Sequence, residues 1–258
     1  MALGMSEELL PVFVPIAVYW VASGIYHMLL SPKDEHRLFP KGEEEAQNLA
    51  TRRQVIVGVL ANQAMQMLLS TVIFMVTGGE KGATVDAPSA SLLQVAGQLA
   101  VAMLFMDGWE YFWHRWTHEN KFLYKHVHAM HHLLMVPYAY GAQYIHPVDA
   151  FFGEIIGGFL SVFISGMSLR TTAVFFSLLT VKAVDDHCGQ WFPEYNPIHR
   201  FMTNNTAFHT VHHQHQGMKH NYSVHFLPTW DLVLGTYLPH SVEERKGGGY
   251  QIRIAKDD

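Results

Sequence analysis

Three long stretches without a charged side chain limit what this chain can fold into. Residues 9–30 (LLPVFVPIAVYWVASGIYHMLL), 54–77 (QVIVGVLANQAMQMLLSTVIFMVT) and 87–106 (APSASLLQVAGQLAVAMLFM) contain no Asp, Glu, Lys or Arg. Each reaches the roughly 20 residues that a helix needs to cross about 30 Å of hydrocarbon. A soluble domain could bury one such helix, but not three while keeping a charged coat. Charged residues make up only 15% of the 258, against about 25% in an average soluble domain. The segment Met1–Glu8 carries two glutamates and no basic residue, so the first stretch is expected to be an uncleaved anchor and not a signal peptide.

A fourth apolar block, 151–184, has a different shape. Glu154 sits near its start, and Ser165-Gly166-Met167-Ser168 followed by Arg170 interrupts its middle. Two halves of about 15 residues are each near 22 Å long, which is short for spanning. The block is expected to form a helical hairpin that dips in and returns to the same side. Loop charges give the orientation. Segment 31–53 holds Lys33, Arg37, Lys41, Arg52 and Arg53, whereas 78–86 holds only Lys81. The positive-inside rule places the first loop in the cytoplasm and the second in the lumen. The third span then delivers residue 107 onward to the cytoplasm, and the hairpin keeps 185–258 there.

The expected class is therefore an all-α polytopic membrane protein, a single unit over 1–258. Three spanning helices (9–30, 54–77, 87–113) and the 151–184 hairpin carry a cytoplasmic cap made of 114–150 and 185–240. Residues 241–258 are expected to be a polar tail on a Gly247-Gly248-Gly249 linker. The formal net charge of −5 gives no electrostatic case for nucleic acid. The single cysteine, Cys188, excludes an intramolecular disulfide and a cysteine-rich zinc module.

Chemistry enters with histidine. The chain has 18, more than its 17 lysines and arginines together, and they cluster: six within 114–132 and seven within 199–225. His114 and His118 form HxxxH. His128, His131 and His132 form HxxHH, and His209, His212 and His213 a second HxxHH. On an α-helix, positions i, i+3 and i+4 share a face with Cβ atoms about 5–6 Å apart. HxxxH aims two imidazoles at one point. In HxxHH the adjacent pair is splayed by about 100°, so its two members can address two metals. Eight imidazoles exceed the four to six ligands of one ion, and His187, at the end of the hairpin, makes a ninth. Nine nitrogens over two ions leave four or five each. Imidazole suits iron, copper and zinc alike, and a neutral imidazole costs less near hydrocarbon than a carboxylate.

Other residues receive narrower readings. Asp107, Glu110 and Tyr111 share the face of His114 and are candidates to orient it, with a membrane-interface charge as an equal reading for Glu110. His126 is expected to be interfacial, and His146 to cap or pack as much as to line the site. His215, His220 and His225 reach the metals only if the helix continues past His213. Cys188 is expected to be a small buried residue. Trp109, Trp113, Trp116, Tyr111 and Tyr124 are expected to form an aromatic belt.

These boxes, on a chain with four membrane segments, resemble the fatty acid hydroxylase/sterol desaturase superfamily. Within it the chain is most similar to the plant-type sphingoid-base hydroxylases, which act at carbon 4 of sphinganine. The likeness runs through SEELLPVFVPIAVYW, HAMHHLLMVPYAYGAQYIHP, DDHCG, FHTVHHQHQGMKHNYS and WDLVLGTYLP. It implies a di-iron, O2-dependent monooxygenase of the endoplasmic reticulum membrane, its active site facing the cytoplasm. The implied substrate is a long-chain lipid, sphinganine or dihydroceramide, and the implied electron donors are cytochrome b5 and its reductase. The family's ligands fall on His114, His118, His128, His131, His132, His209, His212 and His213. Its extra histidine, followed by a small residue and Gly, matches His187. The hairpin and third helix would form a groove for the acyl tail.

Cys188 stands where sterol-acting members tend to have serine, which speaks against the alternative, a sterol C-4 methyl oxidase or C-5 desaturase. Outside the superfamily, a zinc transporter would place its histidines mid-span. A structural zinc protein would want closed four-ligand sites.

Overall fold

The computed structural model describes residues 7–30, 33–77 and 90–255. Helix α1 (Leu10–Ile25) continues through a π-helical turn over Tyr26–Leu30, α2 covers Arg52–Thr77 and α3 covers Leu92–Glu119. A fourth helical arm starts at Pro147, passes through a π-helical stretch at Ala150–Ile156 and ends as α4 (Gly157–Ser165). It returns as α5 (Leu169–Asp186). Four of these helical stretches are long and apolar enough to cross a membrane: Glu7–Met28, Arg52–Val72, Leu92–Glu119 and Pro147–Ser165. Their outer surfaces expose Val21, Leu68, Val76, Leu104 and Phe163, a surface suited to lipid and not to water.

The break expected at 165–168 is where the chain turns. Gly166 takes a left-handed conformation, φ 61°, that other L-residues rarely adopt, and Ser168 caps α5 by accepting from the Thr171 N–H. The arm differs from expectation in length. Because it begins at Pro147, it reaches 19 residues, so shortness does not explain the reversal. The turn is encoded by Gly166 and the Ser168 cap. Both ends of the hairpin nevertheless lie at one end of the bundle, as contacts show. Arg170 pairs with Glu7 at one end of α1 and α5, and Tyr26 donates to Asp185 at the other. Antiparallel to the arm, α3 donates from Gln98 to the Gly166 carbonyl (2.9 Å), from Trp109 to the Phe152 carbonyl (2.9 Å) and from Trp113 to Asp149 (2.7 Å). Gly157 permits this packing, since a Cβ there would collide with the Trp109 ring.

The end near Asp185 and Asp149 carries the cap. The loop before α2 packs on it: Leu49 N–H donates to the Leu133 carbonyl (2.8 Å) and Asn48 pairs with both backbone groups of Val136. The basic 33–53 segment and both histidine-rich regions therefore share one end, as one common site requires. Lys81 lies outside the described residues. One core of Tyr19, Val55, Val59, Leu134, Tyr144 and Val184 ties α1 and α2 to the cap and α5, and a second of Ala102, Met106, Met167, Phe175 and Leu179 ties α3 to the hairpin.

The helical membrane class holds, with one local exception among the described residues. The tail read as polar and linker-like forms an antiparallel hairpin, β1 (His240–Glu244) on β2 (Tyr250–Ile254). The three glycines are its turn, all at positive φ. Tyr250 N–H donates to the Arg37 carbonyl, fastening the hairpin to the loop before α2.

Candidate metal centre

Helix α3 carries His114 and His118 on its last turns. Asn120 ends it and restarts the chain, its side chain accepting from the N–H groups of Phe122 and Leu123. The second box does not sit on an α-helix as its spacing suggests. His128 closes a π-helical turn (Tyr124–His128), and His131 and His132 open a 3-10 turn, the local irregularity often found at functional sites. The third box lies on α6 (Thr206–His213), capped by Asn205, whose side chain accepts from Ala207 and Phe208. His187 caps the C-terminus of α5.

The fold brings all nine predicted histidines together, buried, in two groups that could each hold a metal ion. His114, His118, His128, His132 and His212 form the first, and His131, His187, His209 and His213 the second. Within each group the ligand atoms lie within 4.8 Å of one another. The adjacent pairs His131/His132 and His212/His213 divide between the groups, as the splay between neighbouring side chains anticipates.

Hydrogen bonds fix which nitrogen faces inward. The Nδ1–H of His114 donates to the Tyr222 carbonyl (2.7 Å), that of His131 to Tyr144 (3.3 Å), and that of His187 to Ala183 (2.8 Å). His212 donates to the His220 carbonyl (2.7 Å), His213 to Leu134 (2.9 Å), and His128 to the Asp149 carboxylate (2.6 Å). Each of these imidazoles, when neutral, then has a bare lone pair on Nε2. Yet the Nε2 atoms of His114 and His128 are 3.1 Å apart, and those of His131 and His187 are 3.2 Å apart. Two facing lone pairs repel unless a cation lies between them. Metal–nitrogen bonds of about 2.1 Å put cis ligands about 3.0–3.4 Å apart, and the buried Nε2 of His212 has no other partner. The donor set fits one ion in each group.

Burial and neighbouring imidazoles hold His131, His132, His209, His212 and His213 well below the usual histidine range, and burial lowers His187 to about 4. These groups are neutral at pH 7, the protonation state that binds metal.

The expected orienting residues are the main correction. Asp107, Glu110 and Tyr111 do share the inner face of α3, but the His114 ring bonds the Tyr222 carbonyl and none of these three. Asp107 accepts from the Leu227 N–H, Glu110 pairs with His225 and Tyr111 bonds Thr236. Among the described residues, backbone carbonyls do most of the orienting, and the one carboxylate that does so is Asp149, itself held by Trp113. The belt reading fails for Tyr111, which is fully buried; Trp116 is exposed beside Trp113, and Tyr124 packs on His118 and His132. His126 lies outside both groups, exposed against Phe122, and His146 caps the Pro147 arm by accepting from Val148 N–H. Past His213 the helix stops. His220 contributes only its carbonyl, and His215 is exposed. Cys188 is buried, near Thr206. A third cluster, Asp185, Cys188 and His199, ties the cap to α1, with Asp185 taking Tyr26, Asn196 and His199.

The lipid-facing side of α3 forms an apolar groove of about 690 Å³ with Phe152 and Trp230, lined on the helix by Leu104, Phe105, Trp109 and Phe112.

Fold and site together define a polytopic helical membrane protein with two buried histidine groups that could each hold a metal ion. The fatty acid hydroxylase family model matches residues 99–236, and the chain belongs to that family. It is 48% identical, over all of both chains, to sphinganine C4-monooxygenase 2 of Arabidopsis thaliana. It is 45% identical, over 98% of itself and 97% of the relative, to a very-long-chain aldehyde decarbonylase of Oryza sativa. A sphingolipid C4-hydroxylase of Schizosaccharomyces pombe is 35% identical over 89% of this chain and 88% of its own. Methylsterol monooxygenases match shorter stretches at lower identity. No solved structure matches.

Proposed function

We propose that this chain is a monooxygenase that hydroxylates carbon 4 of a long-chain sphingoid base, using O2 and two iron ions. The carrying observation is the pair of histidine groups, with nitrogen lone pairs turned inward, in a chain whose full length parallels a sphinganine C4-monooxygenase. His114, His118, His128, His132 and His212 would hold one iron, and His131, His187, His209 and His213 the other. The bound pair supplies O2 activation, so that one oxygen atom enters an unactivated C–H bond and the other leaves as water with two electrons and two protons.

The chain's own part is positional. Nδ1 contacts lock each ring and tautomer, burial keeps the imidazoles neutral, and the helices exclude water and align one carbon of the lipid. The electron donors on this reading are cytochrome b5 and its reductase, and the location is the endoplasmic reticulum. The basic 33–53 segment, packed against the cap, supports a cytoplasmic site. The whole of 1–258 acts as one membrane-embedded unit. A second reading, a long-chain aldehyde substrate, is favoured by the rice relative.

Expression in cells lacking C-4 hydroxylation, under 18O2, tests both. Trihydroxy bases carrying one 18O support the proposal. Their absence, with shortened hydrocarbons or altered sterols instead, overturns it.

A further inference from the structure

Two carbonyls that orient the first histidine group come from one short segment. His114 donates to the Tyr222 carbonyl (2.7 Å) and His212 to the His220 carbonyl (2.7 Å). The Tyr222 ring also lies against His114, His118 and His212, with centroids 5.8, 5.5 and 5.9 Å apart. Residues 220–222 thus touch three of the five imidazoles of that group. The second group's anchors are the carbonyls of Tyr144, Ala183 and Leu134, none of them from this segment.

A loop carbonyl anchors a ring only as well as its own peptide plane is held, because that plane turns on its two flanking dihedrals. In a trans peptide the C=O and the N–H point in opposite directions, so holding the N–H aims the carbonyl. The plane that carries the Tyr222 carbonyl ends in the Ser223 N–H, which donates to Asp231 Oδ2 (2.7 Å). The plane that carries the His220 carbonyl ends in the Asn221 N–H, which donates to the Thr236 carbonyl (2.8 Å). Thr236 is in turn held by Asp231, through its hydroxyl on Oδ1 (2.6 Å) and its N–H on the Asp231 carbonyl (2.8 Å). Oδ1 also takes the Tyr222 N–H (2.9 Å). Asp231 lies on a short helix, Thr229–Val233, and is fully buried. Both planes therefore trace back to one carboxylate.

The joint between the planes is Asn221. It sits at φ 55°, the one non-glycine residue at positive φ among the described residues, and asparagine is among the few side chains that tolerate this. Its side chain accepts from the Leu238 N–H (2.8 Å) and donates to the Phe208 carbonyl of α6 (3.1 Å). Such a conformation persists only where its surroundings over-determine it, and it collects at functional sites.

We propose that Asp231 is a positioning residue for the first metal group, acting through the His220–Asn221 and Tyr222–Ser223 peptide planes with Asn221 as their joint. This rests on the paired-ion part of the functional reading and is independent of the substrate. An amide cannot take the place of the carboxylate, because its one oxygen cannot serve both sides and its NH2 would face an N–H donor. With Asp231 altered, the Tyr222 and His220 carbonyls lose their aim, and His114 and His212 lose the contacts that turn Nε2 inward. The second group is untouched.

The test reads metal binding on the full-length chain in detergent, with Co2+ as the probe and no substrate. His209→Ala keeps the first group whole and His118→Ala keeps the second, so titrations on these two backgrounds give each group's Kd. Adding Asp231→Asn should weaken Co2+ binding on the His209→Ala background about 10–100-fold and alter its visible absorption band. On the His118→Ala background the change should stay within about twofold. Equal weakening on both backgrounds, the mark of a merely structural role, overturns the proposal, and so does no change on either. Where Asp231→Asn fails to fold, Asn221→Gly and Asn221→Ala decide. Glycine accepts φ 55° without strain, so it should bind Co2+ in the first group about fivefold more tightly than alanine. Equal affinity of the two overturns the proposal. If neither parent background binds Co2+, the paired-ion reading fails and the proposal falls with it, a result distinct from weakening confined to the Asp231 and Asn221 variants.

Discussion

The two histidine groups are built from the same boxes but anchored differently. The first has five imidazoles and includes His128, whose outer nitrogen is bound to the Asp149 carboxylate. The second has four, and its resolved anchors, at His131, His187 and His213, are all backbone carbonyls. A carboxylate partner raises the basicity of the imidazole it holds and can be removed by mutation, whereas a carbonyl belongs to the fold. The first group is therefore the tunable one. The second has fewer ligands and, for an ion of six-fold preference, more open positions.

The largest expected effect comes from removing a ligand. Alanine at any one of His114, His118, His128, His131, His132, His187, His209, His212 or His213 should abolish product while the chain still inserts in membranes. Full activity in two or more of these variants would break the assignment. Acid should act on both groups. An unfolded imidazole binds its proton near 6.5, whereas burial holds His187 to about 4 and, with the neighbouring imidazoles, keeps His209 and His213 well below the usual histidine range. The unfolded chain thus binds more protons, and stability of the metal-free protein should fall as pH drops from 6.5 toward 4. A melting temperature flat across that interval would contradict the buried, neutral state. Asp149→Asn should separate the groups, lowering activity and first-group metal retention by about 10–100-fold with the second group's metal kept. Equal loss from both groups would erase the distinction. The smallest effect belongs to His126→Ala, within about twofold on kinetic assay, because this exposed ring anchors neither group.

Much of this was legible in the residues. Charge-free runs gave the spans, and the splay of adjacent histidines anticipated their division between two groups. What the sequence hid has local causes. The period of an α-helix misplaced the partners of His114, because the facing carbonyl of Tyr222 comes from a segment 108 residues away. Asp149 was invisible as an anchor because a π-helical turn at Tyr124–His128 sets the direction of His128. The short polar strands after His240 carry alternation too weak to stand out beside a glycine run that reads as a linker. The Glu110–His225 pair joins positions no motif links.

The central claim, two ions in two distinguishable histidine groups, is most directly tested by metal content of the full-length chain purified in detergent. The account predicts two irons per chain in the wild type. It also predicts about one in His118→Ala and one in His209→Ala, each variant retaining the other group's ion. One iron in the wild type, or the loss of both ions from either variant, would contradict it.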